Sequence, residues 1–343
     1  MQRPLVSLAL TLLVAATTWA ATPIKLELIE AKKIWDEAPH SAFTDLLHFD
    51  GQFYCAFREG RGHVSTDGRI RVLRSPDADA WSSAAVVSFQ GYDLRDAHLC
   101  VTPDKRLMLV GGAAPRKKDN EGAPTGSFVA FSKDGVTWTA PEIVVEPGRW
   151  MWCVTWHQGK AYGVSYGAST EGRLLTLLTS ADGVKYEPLV ARLFDQGFPN
   201  ETRLRFTEDG TCYALVRRDG PSDAPTAPVL GISQGTHTEW QWHDLSSEFN
   251  RFGGPNFLRL NSGHWVATGR MHQGGAHTAL TYLDMKSKKM TPLLRLPSGG
   301  DTSYPGLLEH KGILYVSYYS SHEGKTSIYL AKVRVIETPN EKS

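Results

Sequence analysis

The sequence predicts an all-β fold, a six-bladed β-propeller of four-stranded antiparallel blades, and three observations carry that prediction. Short turn signals between apolar runs recur at Asp50-Gly51, Asp104-Lys105, Gln158-Gly159, Asp209-Gly210, Ser262-Gly263 and Lys311-Gly312, 49 to 54 residues apart. A second pattern, Ser132-Lys133-Asp134-Gly135 followed by Trp138, repeats at Ser75-Pro76-Asp77 with Trp81 and at Ser180-Ala181-Asp182-Gly183 with Tyr186, and in worn form from Ser233 to Trp240. No stretch of the mature chain has the length and 3.6-residue periodicity of a convincing long helix. Units of about 50 residues built from short strands are the mark of a propeller.

In chain order, Arg3 precedes an apolar run from Leu5 to Ala16 with small residues at Thr18, Ala20 and Ala21. This reads as a secretory signal over residues 1–21, too short for a membrane span, so an exported protein, periplasmic or extracellular, is expected. Residues 22–336 are expected to form one propeller domain and 337–343 a loose tail. Each unit has an incoming strand such as Phe257 to Leu260, a two-residue hairpin turn, and an outgoing strand such as Trp265 to Thr268. A third strand follows, as at Arg71 to Arg74 and Ser127 to Phe131, and then a fourth, as at Ala84 to Ser88 and Glu142 to Val145. Between the third and fourth, the aspartate repeat acts as a staple: its carboxylate accepts bonds from backbone N–H groups that a tight reversal leaves unpaired, and its aromatic ring packs beside the next strand. The sixth unit lacks a fourth strand. Ile24 to Ile34 is strand-like and is predicted to complete it, closing the ring and covering an exposed edge.

Lys and Arg total 37 against 36 Asp and Glu, a formal charge of +1. That balance argues against a nucleic-acid surface or a polybasic membrane patch. Cys55, Cys100, Cys153 and Cys212 lie in apolar runs about one repeat apart, which leaves disulfides and buried free thiols both open. No C-x-x-C spacing is present, and no cofactor or metal is expected. Nothing in the sequence sets an oligomeric state.

In an up-and-down blade, the start of the first strand and the loop leaving the second share one end, opposite the hairpins and staples. This places His40, Arg58, Arg61, Asp67, Arg95, Asp96, Glu201, Arg217, Arg270, His277 and Tyr304 around one mouth. A polar mouth loaded from many blades is the default binding site.

Three segments of this mouth resemble the sialidase superfamily, whose propellers carry the Asp-box repeat. Asn200-Glu201, then Asp209-Gly210, then Arg217 is similar to the pattern in which a Glu begins a blade and an Arg leaves the next strand. Gly299-Gly300-Asp301-Thr302-Ser303-Tyr304 resembles the segment bearing the nucleophilic tyrosine. Ala56-Phe57-Arg58-Glu59-Gly60-Arg61, Asp67 and Val72-Leu73-Arg74-Ser75 resemble the first-blade segment with a pocket arginine and the acid/base aspartate. The resemblance implies an exported glycoside hydrolase removing a terminal sialic acid or related acidic sugar from a glycan. Tyr304 would be the nucleophile, Glu201 its base and Asp67 the acid/base; Arg217, Arg270, Arg61, Arg58, Arg95, Asp96, His40 and His277 would bind substrate. A tyrosine suits this chemistry because a carboxylate nucleophile would be repelled by the sugar's own carboxylate. With an ordinary pKa of about 10, the phenol needs a neighbouring base.

The sequence departs from the family where blade one opens: His40-Ser41-Ala42-Phe43-Thr44-Asp45 contains no arginine. Of the three arginines expected around a substrate carboxylate, one is thus missing, with Arg58 a candidate to replace it, and another falls at Arg270 or His277. Two other classes stay open. One is a non-catalytic glycan-binding propeller with Trp150, Trp152 and Trp156 as stacking platforms; the other is a polysaccharide lyase whose mouth histidines hold a divalent metal.

Overall fold

The computed structural model describes residues 22–116, 125–145, 147–167, 173–221, 226–245 and 250–338, so the expected signal over 1–21 lies outside the described residues. Among the described residues, twenty-four strands form six four-stranded antiparallel sheets. The numbering begins one strand before blade 1, with β1 (Ile24–Trp35). Blade 1 therefore contains β2 (His40–Phe49), β3 (Gln52–Gly60), β4 (Arg69–Ser75) and β5 (Ser82–Val87). Blade 2 contains β6 (Tyr92–Val101), β7 (Leu107–Pro115), β8 (Gly126–Ser132) and β9 (Glu142–Ile143). Blade 3 contains β10 (Arg149–His157), β11 (Lys160–Gly167), β12 (Leu175–Ser180) and β13 (Glu187–Phe194). Blade 4 contains β14 (Pro199–Phe206), β15 (Cys212–Arg218), β16 (Val229–Ser233) and β17 (Gln241–Asp244). Blade 5 contains β18 (Gly253–Arg259), β19 (Trp265–Met271), β20 (His277–Asp284) and β21 (Lys289–Arg295). Blade 6 contains β22 (Thr302–His310), β23 (Ile313–Ser320) and β24 (Ser327–Glu337), and its fourth place is taken by β1, antiparallel to β24. The strand reaches Glu337, and the Thr338 N–H donates to Pro23 O, so the fold runs two residues into the expected tail; 339–343 lie outside the described residues.

An apolar layer fills the space between each pair of adjacent blades. Ile70, Val72, Leu94 and Phe128 pack blade 1 on blade 2, and Leu215, Leu230, Phe257 and Trp265 pack blade 4 on blade 5. Val266, Leu280, Val316 and Val333 join blade 5 to blade 6, and Phe57, Leu73, Tyr319 and Leu330 join blade 6 to blade 1. Burying both faces of the inner strands explains their long apolar runs. The staples form as expected: Asp77 Oδ1 accepts from the N–H groups of Asp79 and Ala80, Asp134 Oδ1 from Val136 and Thr137, and Asp182 Oδ1 from Val184 and Lys185. All four cysteines are free thiols.

Only three of the six hairpins have the predicted two-residue turn. Asp50-Gly51, Gln158-Gly159 and Lys311-Gly312 each place both residues at positive φ, the geometry that matches strand twist. The Asp104, Asp209 and Ser262 hairpins are one residue longer. In the first of these, Lys105 at φ 60° ends a three-residue loop closed by Thr102 N–H to Arg106 O.

The first strand of every blade carries a bulge near the mouth, where two residues oppose one on the next strand. The first bulged residues are Phe43, Asp96, Trp152, Asn200, Gly254 and Tyr304. Four of them, Phe43, Asp96, Gly254 and Tyr304, have φ between 48° and 62°. A bulge re-aims a side chain that regular alternation would send elsewhere.

Below the bulges, blades 1, 2 and 4 meet in a buried ionic cluster. Both Nη atoms of Arg203 donate to Asp45 Oδ2 at 3.3 Å, the Leu99 N–H donates to the same oxygen at 3.0 Å, and His98 Nδ1 lies 3.4 Å from it. Burial alone would raise the Asp45 pKa, but the Arg203 charge and the His98 contact hold it well below the carboxylate range. Removing one partner of such a pair leaves a charge buried without compensation. Arg203→Met is expected to lower unfolding stability by about 3–5 kcal/mol in urea titrations, with Asp45→Asn/Arg203→Met recovering part of it. A loss below about 1 kcal/mol would show that the cluster does not brace the ring.

Candidate active site

Above that cluster, a glutamate, a tyrosine and an arginine from separate strands meet. Glu201 follows the bulged Asn200 on β14, Arg217 lies opposite on β15, and Tyr304 is the bulged residue of β22. The Tyr304 hydroxyl donates to Glu201 Oε1 at 2.6 Å. Arg217 Nη1 donates to the same carboxylate oxygen at 2.7 Å and to the Tyr304 hydroxyl at 3.1 Å. The other carboxylate oxygen, Oε2, accepts from the Gly254 N–H at 2.8 Å. Glu201 is thus fixed by groups from blades 4, 5 and 6.

The phenol is packed as well as bonded. Its ring meets Phe43 at 5.0 Å and Trp152 at 5.4 Å between centroids, and the Arg270 guanidinium lies over its face at 5.7 Å. Burial, reinforced by the Glu201 charge, raises the Tyr304 pKa far above its ordinary value, so the resting phenol keeps its proton. Glu201 Oε1 is the acceptor in line to take it.

Arg217 is committed within the protein. Its Nε donates to Asp219 Oδ1 at 3.1 Å and its Nη2 pairs with Asp219 Oδ2 at 2.9 Å, while Nη1 serves Glu201 and Tyr304. The planar fork expected to grip a substrate carboxylate is therefore occupied by Asp219. Arg270 has more to offer: among the described residues its guanidinium makes one bond, 3.3 Å to Thr302 O, and its buried Nε makes none. Between Arg270 and His277, alternation decides. Arg270 pairs with Thr278 and Met271 with His277, so the histidine leaves the opposite face, where it lines a cleft with Met271, Gln273 and Pro292.

The remaining predicted residues divide. Arg58 does not replace a missing pocket arginine: it is fully buried, donating to Asp93 Oδ1 at 2.9 and 3.1 Å and to Gly62 O and Ser65. Arg95 donates to Asp93 Oδ2 at 2.7 Å and stays partly exposed beside Asp96. Arg61 is largely exposed and pairs with Asp67 at 3.3 Å. Asp67 lies on the loop after β3, lines a cleft of about 360 Å³ with Glu37, Glu59, Arg69 and Arg71, and makes no hydrogen bond to Tyr304, Glu201 or Arg217. Burial pulls the Asp67 pKa up, but bonds from Ser65 and the Arg61 N–H and the Arg61 charge leave it below its ordinary value. His40 bonds Asp301 at 2.9 Å.

Asp96 has the opposite electrostatics. The bulge of β6 turns it inward at φ 52°, and burial together with the Glu201 charge pushes its pKa up to about 7. It contributes in turn to the high pKa of Tyr304. Trp152 is buried between His98 and Tyr304, which removes it as a stacking platform, and Trp156 sits at the opposite end beside the Gly183 staple.

No protein-family model matches the chain, and no curated protein matches it. Solved structures do. A Dyadobacter fermentans protein of unknown function aligns with a TM-score of 0.76 at 18% identity, over 91% of this chain and 100% of that one. The Trypanosoma rangeli sialidase in complex with 2,3-difluorosialic acid, a covalent intermediate, aligns at 0.68 and 12% identity over 91% of this chain and 59% of that one. An α-L-arabinofuranosidase from Fusarium graminearum aligns at 0.63 and 13% identity, over 87% and 93%. They share the propeller fold. This chain spans 59% of the trypanosome enzyme's length.

Gly254 is the piece of backbone that the site depends on most. A Cβ there would lie 2.8 Å from the Tyr304 ring at a φ of +60°. Gly254→Ala is expected to cost about 1–3 kcal/mol of stability, measured by urea unfolding, because both strain and displacement of Tyr304 oppose it. A neutral substitution would mean that the phenol is not clamped as described.

Proposed function

We propose that the protein is a sialidase-like glycoside hydrolase that removes a terminal acidic sugar from a glycan through a covalent tyrosyl intermediate. The observation that carries this reading is the 2.6 Å bond from the Tyr304 hydroxyl to Glu201 Oε1, with Arg217 Nη1 touching both oxygens. A phenol this well protonated attacks only as its proton leaves, and a carboxylate at hydrogen-bond distance can accept it. Arg217 then stabilises the negative charge that develops on the phenol oxygen. The propeller neighbours that are glycoside hydrolases support the reading at the level of scaffold.

In the first half-reaction, the Tyr304 oxygen bonds to the anomeric carbon, Glu201 takes the phenol proton, and the glycosidic oxygen leaves with a proton from a carboxylic acid. We assign that acid to Asp96, whose pKa of about 7 keeps much of it protonated near neutral pH and which senses the Glu201 charge. Asp67, the residue implied by the family resemblance, is held ionised by its loop partners. In the second half-reaction, water loses its proton to Asp96 and takes the anomeric carbon, and Tyr304 recovers its proton from Glu201. Arg270 is positioned to receive the sugar's carboxylate.

Release of free sialic acid from α-linked sialosides tests the reading. Tyr304→Phe should lower kcat by roughly a thousandfold or more, with a folded protein by circular dichroism. Because the acid must be protonated, kcat/KM should fall as pH rises through about 7, and Asp96→Asn should abolish that limb while lowering the rate by about 10²–10⁴. Loss of activity in Asp67→Asn with Asp96→Asn fully active would return the acid to Asp67. A fully active Tyr304→Phe would overturn the mechanism, and an unsaturated sugar product would indicate elimination instead.

A further inference from the structure

Where the ring closes, three segments bring two imidazoles and a carboxylate to one point. His40 begins β2, His63 lies on the loop after β3, and Asp301 lies just before β22. His40 Nε2 is 2.9 Å and His63 Nδ1 2.7 Å from the same oxygen, Asp301 Oδ2. The three atoms all lie within 4.8 Å of one another. We propose that His40, His63 and Asp301 form a binding site for a divalent transition-metal cation of the zinc class at the mouth, beside Tyr304.

The donor set points to that class. Two imidazole nitrogens with one carboxylate oxygen suit zinc and its neighbours, whereas calcium and magnesium take oxygen shells. Ligand atoms on a tetrahedral ion with bonds near 2.0–2.1 Å stand about 3.3 Å apart, so each histidine–carboxylate contact would open by about half an ångström, while the two imidazole nitrogens, within 4.8 Å of each other, would settle to the same spacing. The carboxylate is braced from behind, with the Tyr319 hydroxyl donating to its other oxygen at 3.0 Å and Ser321 Oγ accepting from the Asp301 N–H at 2.9 Å. Such outer contacts fix a ligand's orientation. His40 is buried, while the His63 side chain is 49% exposed, so the site has one rigid wall and one solvent side.

Three protein ligands leave a coordination position for an oxygen of the substrate. The Phe43 ring contacts both His63, at 5.1 Å, and Tyr304, at 5.0 Å, which puts the cation one ring away from the phenol. Blade 1 otherwise brings little free positive charge to this sector, since Arg58 is buried on Asp93 and Arg61 pairs with Asp67. A cation here would take a carboxylate or hydroxyl oxygen of an acidic sugar. The proposal goes beyond the hydrolase reading and does not need it, because metal affinity is measured without turnover.

Isothermal titration of the chelator-stripped full chain with zinc tests it. One equivalent should bind saturably, His63→Ala and Asp301→Asn should each weaken that binding at least tenfold, and Tyr304→Phe should leave it unchanged. Circular dichroism checks that each variant is folded. No saturable equivalent in the wild type, or equal binding in His63→Ala and Asp301→Asn, would overturn the proposal and leave the cluster as two histidines hydrogen-bonded to an aspartate.

Discussion

The carboxylate of Glu201 is the constraint on which the site depends. One of its oxygens receives both the Tyr304 hydroxyl and Arg217 Nη1, and the other receives the Gly254 N–H. These donors come from three blades, so the carboxylate can be satisfied only when the ring is packed in register. Its environment also sets the protonation of its neighbours: burial and its charge together raise the pKa values of both Tyr304 and Asp96. Burial and this one carboxylate thus both favour the protonated forms of Tyr304 and Asp96, an arrangement suited to coupled proton transfers.

The scaffold supplies this geometry through a defect repeated in every blade. A propeller made of perfect ladders would point residues alternately into the two interblade layers. The bulge in each first strand breaks that alternation at the mouth, and four of the bulged residues adopt left-handed backbone to do so. Phe43, Asp96 and Tyr304 pay a conformational cost there as non-glycine residues, which surrounding contacts must outweigh. Gly254 meets the same demand without a side chain, leaving its N–H free to hold Glu201. The Asp45, His98 and Arg203 cluster lies just beneath, with Trp152 packed at steep ring angles between His98 and Tyr304.

Much of this was legible in the sequence because it follows from spacing. Six turn signals about 50 residues apart defined the blades, and the absence of a fourth strand after Val335 pointed to Ile24 to Ile34 as its replacement. Strand ends placed Glu201, Arg217 and Tyr304 at one mouth with many other polar residues, and the sialidase resemblance singled them out as a group. What sequence spacing did not reveal depends on side-chain contacts and local backbone geometry. Arg58 reads as a spare pocket arginine until blade 2 supplies Asp93 to bury it. Arg217 reads as a substrate clamp until Asp219, two residues away, takes its fork. Asp96 carries no sequence signal for a left-handed bulge, and the meeting of His40 and His63 on Asp301 arises from ring closure. The choice of Arg270 over His277, by contrast, was available from strand alternation alone.

Intact-mass and peptide mapping after reaction with 2,3-difluorosialic acid would test the account's central claim most directly. The account predicts a fluorosialosyl adduct on Tyr304, lost in Tyr304→Phe and slow to form in Glu201→Gln. An unmodified Tyr304, under conditions where a reactive sialidase is fully labelled, would contradict it.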